Sequence, residues 1–342
     1  MFQIKAIQAR HGDALLISYG EIQAPRHLLV DGGPAGTLDS LISVLDSSRV
    51  GGRLVLDVLV VTHYDLDHIE GIIELLSDKP DWLDINDVWF NGYMHLHARD
   101  RLGKGEGDEL AGLISGKYKW NHAFGEEAVQ QSAAPVLLSD GMTIYVLSPD
   151  KTKLDALKKI WTDPSAVPIE SLPPSDLLGR KDSWPPGAFG SLIAGDRFTP
   201  DRSVPNGSSI SLLLEYGGRR LLLAADSHAS TVQSGLSMCL KPNQKVDLLK
   251  VSHHGSKANT NATLIKALGC RRFLISTNGN RHEHPDHQLI ARLVNAAPTG
   301  VQVYFNYAVK NTLRWADVLK IGWPKFEINY PVDGEDFICI NV

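Results

Sequence analysis

Cysteine is nearly absent. Only Cys239, Cys270 and Cys339 occur in 342 residues, far apart and in no CxxC spacing, which argues against a disulfide framework and against a cysteine zinc site. No apolar run approaches the ~20 residues that a membrane-spanning helix needs. The N-terminus, MFQIKAIQARHG, lacks a signal-peptide pattern. Excess positive charge is missing too: the formal net charge is −5. That speaks against a broad basic surface for non-specific DNA binding but leaves room for a local basic channel. There is no internal repeat. What remains is a globular composition, 43% hydrophobic and 21% charged, with enough chain for one large domain or two ordinary ones. A cytoplasmic enzyme-like protein is the expectation.

What is present is a series of short apolar strands, most of them ending in a polar cluster. They read DALLISYG (13–20), HLLVDGG (27–33), LDVLVVTHYD (56–65), MTIYVLSP (142–149), SISLLLEY (209–216), RLLLAADSH (220–228), VDLLKVSHHGS (246–256) and RFLISTNGN (272–280). Gly217-Gly218 between two of them marks a tight hairpin. Helical spacing appears at Leu38, Leu41, Ile42 and Leu45, at Ile69, Ile72, Ile73 and Leu76, and around Leu289, Ile290, Leu293 and Val294. Alternating strands and helices with a hairpin predict a layered α/β fold (α+β by some schemes) in a single domain over 1–342. Two stretches break the rhythm and predict loop insertions: 91–131, with RDRLGKGEGDE as a mobile loop, and 162–205, with eight prolines. Long loops of this kind serve as lids or as docking surfaces for a protein partner.

The densest chemistry is VVTHYDLDHIEG (60–71). An apolar strand runs into His63, Asp65, Asp67 and His68, and an amphipathic helix follows. A loop between strand end and helix start is where α/β folds build ligand sites. Two imidazoles and two carboxylates suit a divalent ion such as Zn²⁺ or Mn²⁺. A single Asp here would more often be a helix cap, and Asp67 is placed to act as one. Two further strands end in matching chemistry, RLLLAAD at Asp226 and LLKVSHHGS at His253 and His254. A carboxylate such as Asp226 can bridge two metal ions about 3.5–4 Å apart.

Taken together, QARHGDALLI, LLVDGG, THYDLDHIEG, SSISLLLEYGGRRLLLAAD, LLKVSHHGS and STNGNRHEHP resemble the metallo-β-lactamase superfamily. The likeness is greatest to the soluble hydrolase domain of ComEC-type DNA-uptake proteins and their free-standing homologues. The resemblance runs in family order from residue 6 to about residue 294, and it implies a four-layer αββα sandwich. It also implies two divalent metal ions. His63 and Asp65 would hold the first; Asp67, His68 and His253 would hold the second; Asp226 would bridge them. Asp31 of LVDGG would orient the ligand loop from behind. The chain departs from the family pattern where VPNGSSISLLLEY lacks a histidine that most members place on the first metal. The resemblance therefore implies weak or substrate-dependent occupancy there.

The implied reaction is hydrolysis by a metal-activated water, with Asp67 as both ligand and water-orienting group. His284 matches the histidine of the family's NxxxHP segment and would protonate a leaving group or hold a phosphoryl oxygen. Asn280 and His254 would contact substrate. Fold alone does not fix the substrate, but ComEC-like features favour a phosphodiester, DNA included. The alternatives are an acyl-ester or lactone hydrolase and, outside enzymes, a regulatory or interaction module of a larger system.

Overall fold

The apolar strands sort into two facing sheets. The computed structural model describes residues 1–96, 105–162 and 183–342. Among the described residues the first sheet holds β1 (Phe2–Ile7), β2 (Leu15–Gly20), β3 (Pro25–Val30), β4 (Leu54–Val60), β5 (Leu83–Ile85), β6 (Val88–Trp89) and β15 (Phe337–Asn341). Its order is β15-β1-β2-β3-β4-β5, with β6 also on β4. The second sheet runs β14 (Glu327–Asn329), β13 (Gln302–Phe305), β12 (Arg272–Ile275), β11 (Leu248–Lys250), β10 (Arg219–Leu223), β9 (Ser211–Tyr216), β8 (Thr143–Ser148) and β7 (Val136–Leu137).

Period-two alternation decides which side chains go where. In β10, Leu221 and Leu223 enter the layer between the sheets with Ile4, Ile17, Val58 and Val60. Leu222 points outward, onto Val232, Leu264 and Leu289 of the helices Ala229–Cys239, Ala262–Leu268 and His287–Ala296. On the other side Leu56 and Leu59 of β4 meet Leu41 and Leu45 of the helix Leu38–Ser47, and Ile69 and Ile72 of the helix Leu66–Ser77. Helices, sheet, sheet, helices is the four-layer sandwich expected from the sequence. No helix of the described residues is long and apolar enough to cross a membrane.

Parts of both expected insertions, 97–104 and 163–182, lie outside the described residues; they include most of the RDRLGKGEGDE loop and, in the second insertion, LPPSD. The remainder is more regular than its composition suggests. Leu110 and Ile114 sit four residues apart on the helix Glu106–Ile114 and join the cluster beside Ile69 and Ile72. The helix Phe189–Ala194 lies on His287–Ala296, where Gln288 donates to the Leu192 carbonyl at 3.0 Å and Arg292 forks onto Asp196 with both bonds at 2.7 Å.

One edge of the sandwich gathers the functional loops. Parallel β3 and β4 end there at Val30 and Val60; parallel β10, β11 and β12 end there at Leu223, Lys250 and Ile275. Antiparallel β2 and β9 begin beside them, with Leu15 opposite Val30 and Leu212 opposite Leu223. Ile210 donates its backbone N–H to the Thr62 carbonyl at 2.9 Å, and Ser276 its hydroxyl to Gly12 at 3.0 Å, so the sheets are tied together at this edge.

The ligand helix approaches β3 through two glycines. Gly32 donates to the His68 carbonyl and Gly71 to the Gly33 carbonyl, both at 2.9 Å. A Cβ on Gly71 would lie 2.0 Å from the Gly32 oxygen. Gly71→Ala is therefore expected to lower stability by about 1–3 kcal/mol in urea unfolding, as overpacking does. Gly112→Ala, on an exposed helical site with nothing within 4 Å of the new carbon, is the control that should lose nothing.

Candidate metal centre

The loop after β4 is fixed by a single carboxylate. Asp31, 1% exposed and at φ 59°, accepts the Thr62 backbone N–H and the Thr62 hydroxyl, each at 2.8 Å. Its Oδ2 also lies 2.8 Å from Nδ1 of His68. Since a carboxylate only accepts, Nδ1 of His68 carries a proton and donates it. Thr62, having given its own hydrogen to Asp31, accepts from Nδ1 of His63 at 3.0 Å. The loop after β11 repeats the device: Nδ1 of His254 donates to the Ser276 carbonyl at 3.1 Å. Nδ1 of His253 lies 3.0 Å from Oδ1 of Asn259.

All four imidazoles are thus held by Nδ1, which turns Nε2 into the free face of the ring. Nε2 of His68, His253 and His254 stand 3.5, 3.7 and 3.7 Å from one oxygen, Oδ2 of Asp226. Nε2 of His254 is also 3.4 Å from Oδ2 of Asp67, and Nε2 of His63 is 3.5 Å from Oδ2 of Asp65. These gaps are long for hydrogen bonds. Two donors each about 2.0–2.1 Å from one tetrahedral ion stand roughly 3.3–3.5 Å apart. Nε2 of His63, His68 and His254 and Oδ1 of Asp226 are buried without a hydrogen-bond partner. Such atoms are costly unless something else satisfies them, and this donor set fits a divalent cation.

Ligand atoms of Asp13, His68, Asp226 and His254 lie within 4.8 Å of one another, all four side chains buried. Of the histidine pair, His254 joins this group and approaches Asp67. His253 reaches Asp226 from the side where Asp201 lies 3.7 Å from its Nδ1. The sequence expectation had set His253 with Asp67 and His68, and His254 on substrate; the geometry brings His254 to those residues. Asp65 is the N-cap residue of the helix Leu66–Ser77, yet its side chain makes no capping bond, and Asp67 sits inside the first turn. Helix capping therefore does not account for either carboxylate.

His284 is 3% exposed, has no hydrogen-bond partner on either ring nitrogen, and lies with its ring centroid 6.0 Å from that of His253. Asn280 is exposed, on a turn where its N–H meets Oδ1 of Asn278 at 3.0 Å. His95 and His122, within the first irregular stretch, line a separate cavity of about 460 Å³ with Lys117 and Trp120; His97 lies outside the described residues.

Two participants escaped the sequence reading. Asp13, 1% exposed, pairs with Lys250, 0% exposed, and turns its other oxygen to within 3.5 Å of Nδ1 of His254. The signal was available: Lys250 interrupts the apolar run LLKV, and alternation from Leu248 puts it between the sheets. Asp201 was the other, accepting from Asn206 at 2.7 Å and Asn259 at 2.9 Å beneath His253. It lies in a stretch whose composition reads only as loop.

Crowded carboxylates govern the protonation of the histidines. Burial works against an imidazolium at His254, but Asp226 and Asp13 overcome it and raise its pKa to about 9. At His68 burial is likewise outweighed, by Asp226 and Asp31, and the pKa stands well above the ordinary value. Burial would lift the carboxyls of Asp67 and Asp226, but the surrounding imidazoles hold both well below the usual range. In metal-free protein these carboxylates favour a proton on Nε2 of His68 and His254.

The sign of the pH dependence follows. A histidine whose folded pKa exceeds its unfolded value of 6.5 contributes stability that is complete below pH 6.5 and declines as pH rises through the folded pKa, about 9 for His254. Metal-free protein is therefore expected to lose melting temperature between pH 6.5 and 9. Protein saturated with Zn²⁺ or Mn²⁺ is expected to show a flatter profile, because the protons have been displaced. Thermal scans with and without chelator check this; equal slopes would remove His68 and His254 from the ligand set.

ComE operon protein 3 from Bacillus subtilis (strain 168) is 36% identical over 95 residues, a span that is 28% of this chain and 12% of that protein. Among solved structures, the metallo-beta-lactamase fold protein YhfI from Bacillus subtilis aligns over 100% of both chains at 12% identity and a TM-score of 0.42. The short form of human tRNase Z aligns over 80% of this chain and 91% of its own at 12% identity and a TM-score of 0.36. The model of the metallo-beta-lactamase superfamily matches residues 25–279, from β3 through the loop after β12. This chain belongs to the metallo-beta-lactamase superfamily.

Proposed function

We propose that the protein is a metal-dependent phosphodiesterase that acts on DNA. The observation that carries the reading is the convergence of three Nε2 atoms on Oδ2 of Asp226, with Asp67 alongside, at the loop edge of the sandwich. In this reading Asp67, His68, Asp226 and His254 would hold one divalent ion, and His63 and Asp65, with Asp226 nearby, would hold a second; His253 stands beside Asp226. Ions there would supply Lewis acidity to the scissile group and to the attacking water.

The protein's own groups do the rest. Asp67, kept ionised by its imidazole neighbours, accepts a hydrogen bond from the attacking water and aims it. Asp31 holds His68 directly and His63 through Thr62, so the ligand loop does not reorganise when substrate arrives. His284, buried and with Oδ1 of Asp286 3.6 Å from its Nδ1, is placed to protonate the departing oxygen. The likeness to ComEC-type hydrolase domains favours a phosphodiester over an acyl ester or lactone.

The test is cleavage of single-stranded and plasmid DNA by chelator-treated protein resupplied with Mn²⁺ or Zn²⁺, beside Asp67→Ala. Metal-dependent cutting by the native form, reduced at least a hundredfold in the variant, is the expected result. Metal bound without any cutting would redirect the search to small phosphodiesters and then to esters.

A further inference from the structure

Residues outside the ligand set shape the entrance to the centre. Gly12 lies against the backbone of Asp67 so closely that a Cβ on it would stand 1.8 Å from the Asp67 carbonyl oxygen, and Asp13 donates its N–H to that oxygen at 3.3 Å. His11, the preceding residue, is therefore carried to the Asp67 side of the centre, and the Asp67 carboxylate acts on it electrostatically. On the facing loop, Asn278 donates its N–H to the Arg10 carbonyl at 2.8 Å, fixing the turn that carries Asn280, Arg281 and His282. Across this junction Arg281 donates to Nε2 of His11 at 3.3 Å. A guanidinium only donates, so His11 accepts at Nε2 and keeps its proton on Nδ1.

The result is a patch of N–H groups just outside the metal centre. Arg281 is exposed, and His11 and His282 are half-buried. The ring of His282 lies 5.7 Å from that of His284 and leads inward to it. Arg281 spends its bond to His11 on a neutral acceptor, so the guanidinium keeps its full charge and its remaining N–H donors.

We propose that Arg281, braced by His11 and flanked by His282, forms an anion subsite that holds the phosphate next to the scissile one in a polynucleotide substrate. The assignment rests on the phosphodiesterase reading above and deepens it. A guanidinium held in place by the neutral acceptor His11 presents its remaining N–H groups to a tetrahedral oxyanion, the geometry in which arginine outperforms lysine. The scissile phosphate is left to Asp67, His284 and the centre itself. The subsite selects for a second phosphate, not for a base.

The experiment compares two dinucleotides as substrates of metal-loaded protein: thymidylyl-thymidine, with one phosphate, and its 5′-phosphorylated form, with a second. Native protein is expected to prefer the phosphorylated form in kcat/KM. Arg281→Ala is expected to reduce that preference about tenfold, the scale of a charge-assisted contact, chiefly through KM. Arg281→Lys should restore part of it, and His11→Ala should erode it. Arg281 is exposed, so its replacement does not threaten folding; a melting temperature within a degree or two of native checks that. An unchanged preference in Arg281→Ala overturns the subsite. An equal loss on both dinucleotides also overturns it, by moving Arg281 to the scissile phosphate. If native protein binds metal yet cleaves neither dinucleotide nor DNA, the phosphodiesterase reading fails instead, which is a separate outcome.

Discussion

Negative charge collected at one dry edge is the constraint to which the other features answer. Asp13, Asp31 and Asp226 are each no more than 2% exposed, and Asp67 stands beside them. Carboxylates removed from water are tolerable only when paired or hydrogen-bonded. Each has a different answer. Asp31 is saturated by Thr62 and His68. Asp13 takes Lys250, a cation with no contact with solvent. Asp226 turns Oδ2 to three imidazoles at 3.5, 3.7 and 3.7 Å, and its Oδ1 has no hydrogen-bond partner. Protonated His68 and His254 supply positive charge there in metal-free protein, and a divalent ion would supply it in their place.

The centre is not uniform. The His68 and His254 half is enclosed, both rings nearly without exposure, while Asp65 keeps about a quarter of its side chain in solvent. A desolvated carboxylate–imidazole set attracts a cation strongly, because the field is not screened. A partly wet one competes with water. Asn206, in the VPNGSSISLLLEY stretch, is engaged with Asp201 and lies 3.4 Å from Nδ1 of His253.

Much of this was legible in the sequence, for identifiable reasons. Strand ends announce themselves when an apolar run stops at charge, so His63, Asp65, Asp67, His68, Asp226 and the His-His pair could all be placed on loops of one edge. Asp31 was readable for the same reason. What sequence could not decide was which of two adjacent histidines approaches Asp67. His253 and His254 both adopt left-handed backbone angles, φ 49° and 52°, and strand alternation does not carry through such a turn. The helix Glu106–Ile114 was hidden by its glycine-rich surroundings, because two apolar residues one turn apart are too few to signal a helix. Asp201 bears on His253 through a long-range contact that no local pattern encodes.

Lys250 closes on Asp13 from the opposite sheet, and Ile210 reaches Thr62 across the same seam. The groups facing the centre are divided accordingly: His63, Asp65, Asp67 and His68 follow a strand of one sheet, while Asp226, His253 and His254 follow strands of the other. Neither half of the chain contains the full set. The amino-terminal half emerges first during synthesis, and the full set of groups comes together only when the later strands dock. An ion held by the whole set would therefore be held by the completed sandwich and by no partly built form of it.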